Sequence, residues 1–138
     1  MTVTINASPT NGIIQTADGS GVMKLQSNGV TTNALAWVNF NGQTSPNTTI
    51  RSSYNVSSIT YTTTGYWVVN LTSALTDTNA SCIATSAYTN LGTTNAGDVG
   101  NANMVTTSTI AWTNSVISSA TGGTSRNPAV CQLAVFGN

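Results

Sequence analysis

The sequence predicts an all-β protein: an antiparallel β-sandwich preceded by a short, shaft-like or docking N-terminal segment. The chain has 26 Thr, 16 Ser and 17 Asn among its 138 residues. β-Branched Thr suits the pleated surface of a strand, whereas Ser, Asn and Gly disfavour the interior of a helix. Short runs of alternating apolar and polar residues recur between Gly- and Asn-containing turns, which is typical of a sandwich. No segment shows the apolar periodicity of an amphipathic helix.

Residues 1–32 are predicted to be a segment distinct from the sandwich. Short alternating strands at 2–5 and 22–26 are separated by turn clusters at 8–12 and 17–21. Strands this short do not build a core of their own. The segment is therefore expected either to pair onto the main domain or to wrap around copies of itself.

Residues 33–138 are predicted to form the sandwich domain. The expected strands are 35–40, 49–54, 56–61, 66–71, 80–88, 104–112, 115–118 and 129–136. A compact turn at 62–65 joins two of them into a hairpin. The Asn- and Gly-rich stretches 90–103 and 120–127 are expected to be exposed loops, which carry function more often than the strands that hold them.

Alternation along a strand predicts which side chains face the core, because successive side chains point to opposite faces of a sheet. In the first strand of the domain, alternation places Ala36, Val38 and Phe40 on one face. Leu35 and Trp37 fall on the other face.

The strand after the hairpin turn is expected to bury Trp67 and its alternate neighbours Val69 and Leu71. Tyr66 and Val68 are then exposed or covered by a neighbouring subunit. For the aromatic side chains, packing in the core or between subunits is favoured over stacking on a sugar. The candidates for receptor binding or subunit contact are Tyr66, Val68, Trp112, Asn95, Asp98 and Asn101.

Charged residues are scarce, and this excludes several classes of partner. The chain has no His and no Glu, and its charged residues are Lys24, Arg51, Arg126, Asp18, Asp77 and Asp98. Three scattered basic residues cannot form the patch that nucleic acid or an anionic membrane surface requires. No apolar run approaches the length of a membrane span.

The same scarcity argues against catalysis, cofactors and metals. General acid–base chemistry needs a titratable group near the operating pH, and only three Asp residues are available. Asp18 lies in a turn cluster, where Asp commonly bonds the local backbone. Residues 98–103 could supply one carboxylate and amide oxygens to Ca²⁺, but a polar loop is favoured. The chain is therefore expected to be no enzyme, with no metal and no cofactor.

Two cysteines, Cys82 and Cys131, could form at most one disulfide. Each lies in a predicted strand. Burial as small hydrophobic residues is favoured over a bridge, because the chain is expected to be made in the cytosol.

Several motifs occur in a characteristic order. Asn33-Ala-Leu-Ala-Trp-Val-Asn-Phe-Asn-Gly42 is followed by Ile50-Arg-Ser-Ser-Tyr-Asn-Val-Ser-Ser-Ile-Thr60, then by Gly65-Tyr-Trp-Val-Val-Asn-Leu-Thr72 and Ala74-Leu-Thr-Asp-Thr-Asn79. Together they resemble the C-terminal β-domain of bacteriophage tail-fibre and virion structural proteins. Cys131-Gln-Leu-Ala-Val-Phe-Gly137 is similar to the closing strand of that family. The resemblance implies a structural protein without catalytic residues. Tyr66 and Val68 depart from it, because they occupy a face that is normally polar.

Three functions fit these observations. The first is a homotrimeric tail fibre or fibre tip in a virion assembled in the host cytoplasm, which contacts other virion proteins and attaches to a host surface glycan. The second is a capsid decoration or cement protein, or a capsid-bound surface fibre, with residues 1–32 as a docking arm. The third is a free-standing β-sandwich lectin, against which the absence of a secretion signal at the start of the sequence argues.

Overall fold

The computed structural model describes residues 25–27, 30–43, 48–88, 98–116 and 124–137, and within these ranges the protein is all β. The strands are β1 (Gln26–Ser27), β2 (Val30–Thr31), β3 (Ala36–Asn41), β4 (Thr49–Tyr54), β5 (Val56–Thr63), β6 (Tyr66–Leu71), β7 (Ser81–Ala87), β8 (Asp98–Thr106), β9 (Thr109–Val116) and β10 (Val130–Phe136). The described part contains no helix, and so none that could span a membrane.

Eight of these strands form two four-stranded sheets. The first sheet has the order β4-β3-β10-β7 and the second has the order β5-β6-β9-β8. Every pairing is antiparallel. The chain crosses repeatedly between the sheets, so that β10, the last strand, lies between β3 and β7 in the middle of the first sheet. The predicted antiparallel β-sandwich is confirmed.

The core lies between the facing surfaces of the sheets and follows the alternation of each strand. The first sheet contributes Ala36, Val38, Phe40, Cys131, Leu133 and Val135, and the second contributes Trp67, Val69, Leu71, Met104, Ile110 and Trp112. Trp67, Val69 and Leu71 of β6 are buried between the sheets, which confirms the prediction from the sequence that they face inward. Three large aromatic rings, Phe40, Trp67 and Trp112, meet edge to face between the sheets, and each ring contacts the other two.

One glycine allows the edges of the two sheets to close. Gly100 on β8 lies against the backbone of Thr85 on β7, and a Cβ at Gly100 would lie 2.9 Å from the Thr85 carbonyl carbon. Only a residue without a side chain permits this approach. The sandwich is thereby sealed along the edge formed by β7 and β8.

The opposite edge is formed by β4 and β5, and the chain passes between the sheets there at Asn55. Asn55 has a φ of 55°, in the left-handed region that Asn tolerates better than most residues. Its side-chain oxygen accepts a hydrogen bond from the Ser73 amide at 2.8 Å, and its Nδ2 donates to Leu35 O at 3.1 Å and Ser73 O at 3.2 Å. Asn55 therefore joins three segments of the chain.

Replacing Asn55 by alanine should lower the free energy of unfolding by about 3 kcal/mol, because three hydrogen bonds are lost and alanine is strained at positive φ. Asn55→Gly is the matched control: it loses the same hydrogen bonds without the strain, so its loss should be smaller by about 1 kcal/mol. Equilibrium unfolding in urea measures both. A loss below about 0.5 kcal/mol for the alanine variant would contradict this role of Asn55.

Three predictions about the region 98–118 are wrong. The strand expected at 115–118 is not a separate element, because Ser115 and Val116 belong to β9. Residues 104–112 are not one strand, because a turn at Thr107 and Ser108 separates β8 from β9, and Met104 pairs with Ile110. The turn contains neither Gly nor Pro, and the Thr106 hydroxyl accepts a hydrogen bond from the Ser108 amide at 3.2 Å instead. The expected loop at 90–103 ends early, since β8 already begins at Asp98.

The start of the sandwich also differs in one detail from the sequence prediction. Leu35 is buried and does not share an outer face with Trp37, because it precedes β3 and its amide donates to Val135 O at 2.8 Å. Before it, β1 and β2 form a small antiparallel pair with Ser27 opposite Val30. The strand and turns predicted within residues 1–24 lie outside the described residues.

Both cysteines are free thiols, as the favoured interpretation of the sequence expected. Cys131 is completely buried in the core, and burial raises the pKa of its thiol to about 12. Cys82 is half-buried, and burial raises the pKa of this thiol as well. Neither side chain is therefore a reactive thiolate at neutral pH.

Candidate functional site

The outward surface of the second sheet carries three of the residues singled out from the sequence. Tyr66 pairs with Thr113, which in turn pairs with Asn101, so these side chains form one row across β6, β9 and β8. Val68 lies in the adjacent row beside Ala111. The structure thus brings together Tyr66, Val68 and Asn101, although Asn101 lies on a strand and not on the predicted loop.

The rest of this surface is uncharged and mostly polar, although the exposed side chain of Val99 also lies on it, at the β8 edge. We call it the hydroxyl–amide face; its residues are Ser58, Thr60, Tyr66, Val68, Asn70, Asn101, Asn103, Thr109, Ala111 and Thr113. None of them is charged. Asn70 organises one corner, since its Nδ2 donates to the hydroxyls of Ser58 at 3.0 Å and Thr60 at 3.1 Å. The face therefore has an apolar centre, formed around Val68 and Ala111, inside a rim of hydroxyl and amide groups.

Trp112 does not belong to any contact surface. Its side chain is 0% exposed, and its indole N–H donates to Gln132 O on the facing sheet at 3.1 Å. The sequence placed Trp112 at the end of a strand beside a loop, whereas it lies in the middle of β9 with its ring turned inward. The proposal that Trp112 contacts a receptor or subunit is therefore wrong. Asn95 lies outside the described residues.

Asp98 is part of a partly buried ion pair at one end of the sandwich. Its side chain is 3% exposed, and Arg126 binds both carboxylate oxygens, Nη2 to Oδ2 at 2.6 Å and Nε to Oδ1 at 2.8 Å. Burial raises the pKa of the Asp98 carboxyl, but hydrogen bonds from Arg126 and Asn114 and the guanidinium charge outweigh burial and hold that pKa below its usual range. Asp98 is therefore neither a loop residue nor a free ligand for a cation.

Asn114 connects this ion pair to the core. It is the buried polar residue among the described core positions, and its Nδ2 donates to Asp98 Oδ1 and to Arg126 O, each at 3.2 Å. Its Oδ1 accepts a hydrogen bond from the Ser86 hydroxyl at 2.6 Å. This network ties β7, β8 and β9 to the segment that leads into β10, and it fixes the position of the Arg126 side chain.

An open cleft of about 320 Å³ lies beside the ion pair. We call it the end cleft; it is lined by Gln43, Thr64, Tyr88, Arg126 and Asn127. These residues come from four connections at the same end of the sandwich: after β3, between β5 and β6, after β7 and before β10. The Arg126 guanidinium lies over the Tyr88 ring, 4.2 Å from its centroid.

The turn between β5 and β6 shapes the wall of the end cleft. Gly65 has a φ of 75°, and a Cβ there would lie 2.7 Å from the Ser125 Cβ, so only glycine fits without strain. The Gly65 amide donates to Asn127 Oδ1 at 2.9 Å. Across the cleft, Gln43 Nε2 donates to Tyr88 O at 3.1 Å. Both amide side chains of the cleft are therefore held in fixed orientations.

Sequence reasoning selected Asp98 but missed the end cleft beside it. The four segments that line the cleft are far apart in the sequence, and only topology brings them together. One signal was available: the chain has only three basic residues, so a buried Asp had few side chains with which to form an ion pair. Arg126 was therefore identifiable as a candidate partner, whereas Tyr88, Gln43 and Thr64 carried no distinguishing pattern.

The outward surface of the first sheet carries a second exposed feature, which we call the apolar row. It runs across four strands as Tyr54, Trp37, Ala134 and Ile83, each paired with the next. Trp37 is 39% exposed and Ile83 is 58% exposed. Tyr54, beside Trp37, and Ala134, between Trp37 and Ile83, are half-buried. Exposed apolar side chains joined in one row favour a contact surface more than single exposed residues do.

The described residues include no cluster of three or more His, Cys, Asp or Glu side chains that could hold a metal ion. The chain also shows no significant match to any protein-family model, curated protein or solved structure. Its function must therefore be inferred from its own residues and surfaces.

Proposed function

We propose that this chain is a non-catalytic structural protein of a bacteriophage virion, a tail-fibre or fibre-tip module that attaches the particle to its host. The ordered motifs between residues 33 and 79 support this proposal through their resemblance to such proteins. The structural observation that carries it is the hydroxyl–amide face, a charge-free surface whose centre is apolar.

That face has the composition of a contact surface between subunits. Interfaces commonly combine an apolar centre, often with Tyr, from which charged residues are depleted, and a polar rim. Tyr66, Val68 and Ala111 correspond to the centre, and the surrounding Thr and Asn residues correspond to the rim. Because the face is uncharged, copies of it can meet around a symmetry axis without like-charge repulsion. We therefore place the contact between subunits of a homotrimer here.

In such a trimer, attachment works through repeated weak contacts. Three subunits on each fibre, and several fibres on each particle, raise the overall affinity far above that of a single site. The virion would gain firm attachment from a module that has no deep pocket of its own.

A second candidate function, capsid decoration, is favoured by the apolar row. Exposed Trp37 and Ile83 on the first sheet could dock onto a shell protein, while the second sheet remains outward. Under this alternative, the module binds the capsid through the first sheet and does not need the hydroxyl–amide face for self-association. The two functions therefore assign different faces to protein contact, and substitutions on each face distinguish them.

Replacing Tyr66 by aspartate should convert the proposed trimer into monomers, because three carboxylates would be buried in an apolar interface without partners. Light scattering measures the change in mass, and circular dichroism checks that the subunit remains folded. Ile83→Asp is the matched control on the opposite sheet and should leave the trimer intact. If the Tyr66→Asp variant remains a trimer, the hydroxyl–amide face is not the contact between subunits. If only Ile83→Asp abolishes the trimer, the apolar row is that contact.

A further inference from the structure

We propose that the end cleft is a binding site for a neutral saccharide. The inference rests on the proposed function only in identifying that saccharide with a glycan of the host surface; binding itself is argued from the geometry of the cleft. The residues that line it are distinct from those of the hydroxyl–amide face, so one chain would use one surface for assembly and another for recognition.

The size and openness of the cleft suit a small polyhydroxy ring. Its volume of about 320 Å³ is near the lower limit of small-molecule sites, which span about 300–1,000 Å³. It opens to solvent at the end of the sandwich, where a sugar at the end of a longer glycan could enter. Such a site binds weakly in a single copy and gains strength from repetition.

The cleft contains a planar surface on which a sugar ring could stack. Tyr88 is 37% exposed; the Arg126 guanidinium covers one face of its ring, 4.2 Å from the centroid, so that a sugar would stack on the other face. The guanidinium cannot rotate freely, because Asp98 binds it through two nitrogens. A rigid aromatic side chain with a polar end is the usual partner for the apolar face of a ligand that also carries hydroxyl groups.

The charge of the cleft favours a neutral ligand over an anion. Arg126 is the cation of the end cleft, and Asp98 neutralises it at 2.6 Å. Because Asp98 stays ionised throughout the neutral range, an incoming carboxylate or phosphate would meet a paired guanidinium and a nearby carboxylate. The attraction for an anionic group is therefore weak, whereas uncharged hydroxyl groups meet no such opposition.

The remaining wall offers hydrogen-bonding groups that complement sugar hydroxyls. Asn127 uses Oδ1 to accept from Gly65, and no partner for its Nδ2 is seen among the described residues. Gln43 donates through Nε2 to Tyr88 O, and its Oε1 likewise has no partner within the described ranges. The Thr64 hydroxyl has one contact within the protein, to the Tyr61 hydroxyl at 3.4 Å, and can make a further hydrogen bond. The cleft therefore presents an amide donor, an amide acceptor and a hydroxyl group. This set matches the paired donors and acceptors of adjacent hydroxyls on a sugar.

The test is a titration of ¹⁵N-labelled full-length protein, followed by amide chemical shifts. The probes are the methyl glycosides of glucose, galactose, mannose and N-acetylglucosamine, with glucuronic acid as the acidic comparison. We expect at least one neutral glycoside to produce saturable shifts at Gly65, Tyr88 and Asn127, with dissociation constants in the millimolar range. Tyr88→Ala should weaken that binding about tenfold, as expected for the loss of a stacking partner.

Two further variants keep the test decisive. Thr64→Val preserves shape but removes a hydroxyl, and it should weaken binding a few-fold even if Tyr88→Ala fails to fold. Val105→Ala, at an exposed position at the other end of β8 from Asp98, is the control and should leave the dissociation constant unchanged. The absence of saturable shifts with every neutral glycoside would overturn the inference, as would shifts confined to other surfaces or tighter, salt-dependent binding of glucuronic acid.

These outcomes are independent of the assembly experiment. If the protein is a trimer but binds none of the glycosides, the proposed trimeric module is supported and the saccharide site is contradicted. If the protein is a monomer and binds a glycoside through Tyr88, the saccharide site is supported and the trimeric module is contradicted.

Discussion

Replacing Trp112 by alanine should lower the free energy of unfolding by about 3–5 kcal/mol, the largest effect that we expect from a single substitution. The ring is completely buried and packs edge to face against Phe40, at 5.3 Å between centroids, and against Trp67, at 5.4 Å. Alanine would leave a cavity where the two sheets meet. It would also leave Gln132 O without the indole donor that it has across the sandwich.

Trp112→Phe separates these contributions, because it keeps an aromatic ring but removes the N–H group. Trp112→Phe should lower the free energy of unfolding by about 1–2 kcal/mol, because one hydrogen bond is lost and a smaller cavity forms. Urea unfolding followed by circular dichroism measures both variants. If Trp112→Ala lowers the free energy of unfolding by less than about 1 kcal/mol, the ring is not part of the core. Trp112 would then again be a candidate contact residue.

Replacing Arg126 by alanine should cost about 2–4 kcal/mol, since it leaves the nearly inaccessible Asp98 carboxylate without its counterion. The double variant Asp98→Asn with Arg126→Ala should recover part of this loss, because no uncompensated charge remains. A double-mutant cycle therefore gives a coupling energy of about 1–3 kcal/mol. Near-additive losses would contradict a buried and coupled pair.

The same pair predicts how stability depends on pH. Because the pKa of Asp98 is lowered in the folded protein, its contribution to stability is complete above the pKa of an unfolded Asp, about 4, and is lost as the pH falls through the lower folded pKa. In Arg126→Ala, burial is expected to raise that pKa instead. The deficit of the variant relative to the wild type should therefore begin to shrink above about pH 4, as the pH falls through the raised pKa of the variant, and should continue to shrink down to the lowered pKa of Asp98 in the wild type. A constant deficit between neutral and acidic pH would contradict the pairing.

The hairpin of β5 and β6 shows what local pattern predicts well. Alternation in Tyr66–Leu71 placed Trp67 inward and Tyr66 outward, and the compact turn before it set the pairing of Tyr61 with Trp67. These features depend on residues close together in the sequence. Strand pairing between β10 and its neighbours depends on residues far apart, and no local signal specifies that β10 lies between β3 and β7.

The region from Asp98 to Val116 shows why composition can mislead. Gly100, Asn101 and Asn103 favour a loop by propensity, yet they lie on an edge strand where Gly100 is needed for close approach of the sheets. Tertiary packing overrides local preference at such positions. The turn at Thr107 and Ser108 lacks Gly and Pro, so β8 and β9 appear continuous in sequence.

The end cleft could not be predicted because its chemistry depends on position alone. Gln43, Thr64 and Asn127 are common residues in a chain rich in amides and hydroxyls. They acquire a shared role only where four connections meet beside the ion pair of Asp98 and Arg126. The hydroxyl–amide face was easier to anticipate, since alternation on β6 already placed Tyr66 and Val68 outward.

The measurement that tests the trimeric attachment module most directly is the native mass of the full-length protein, by light scattering coupled to size-exclusion chromatography. A mass about three times the 14.1 kDa of one chain, lost in Tyr66→Asp and retained in Ile83→Asp, is the predicted result. A monomer at every concentration measured would contradict it, and the hydroxyl–amide face would then not be a contact between subunits.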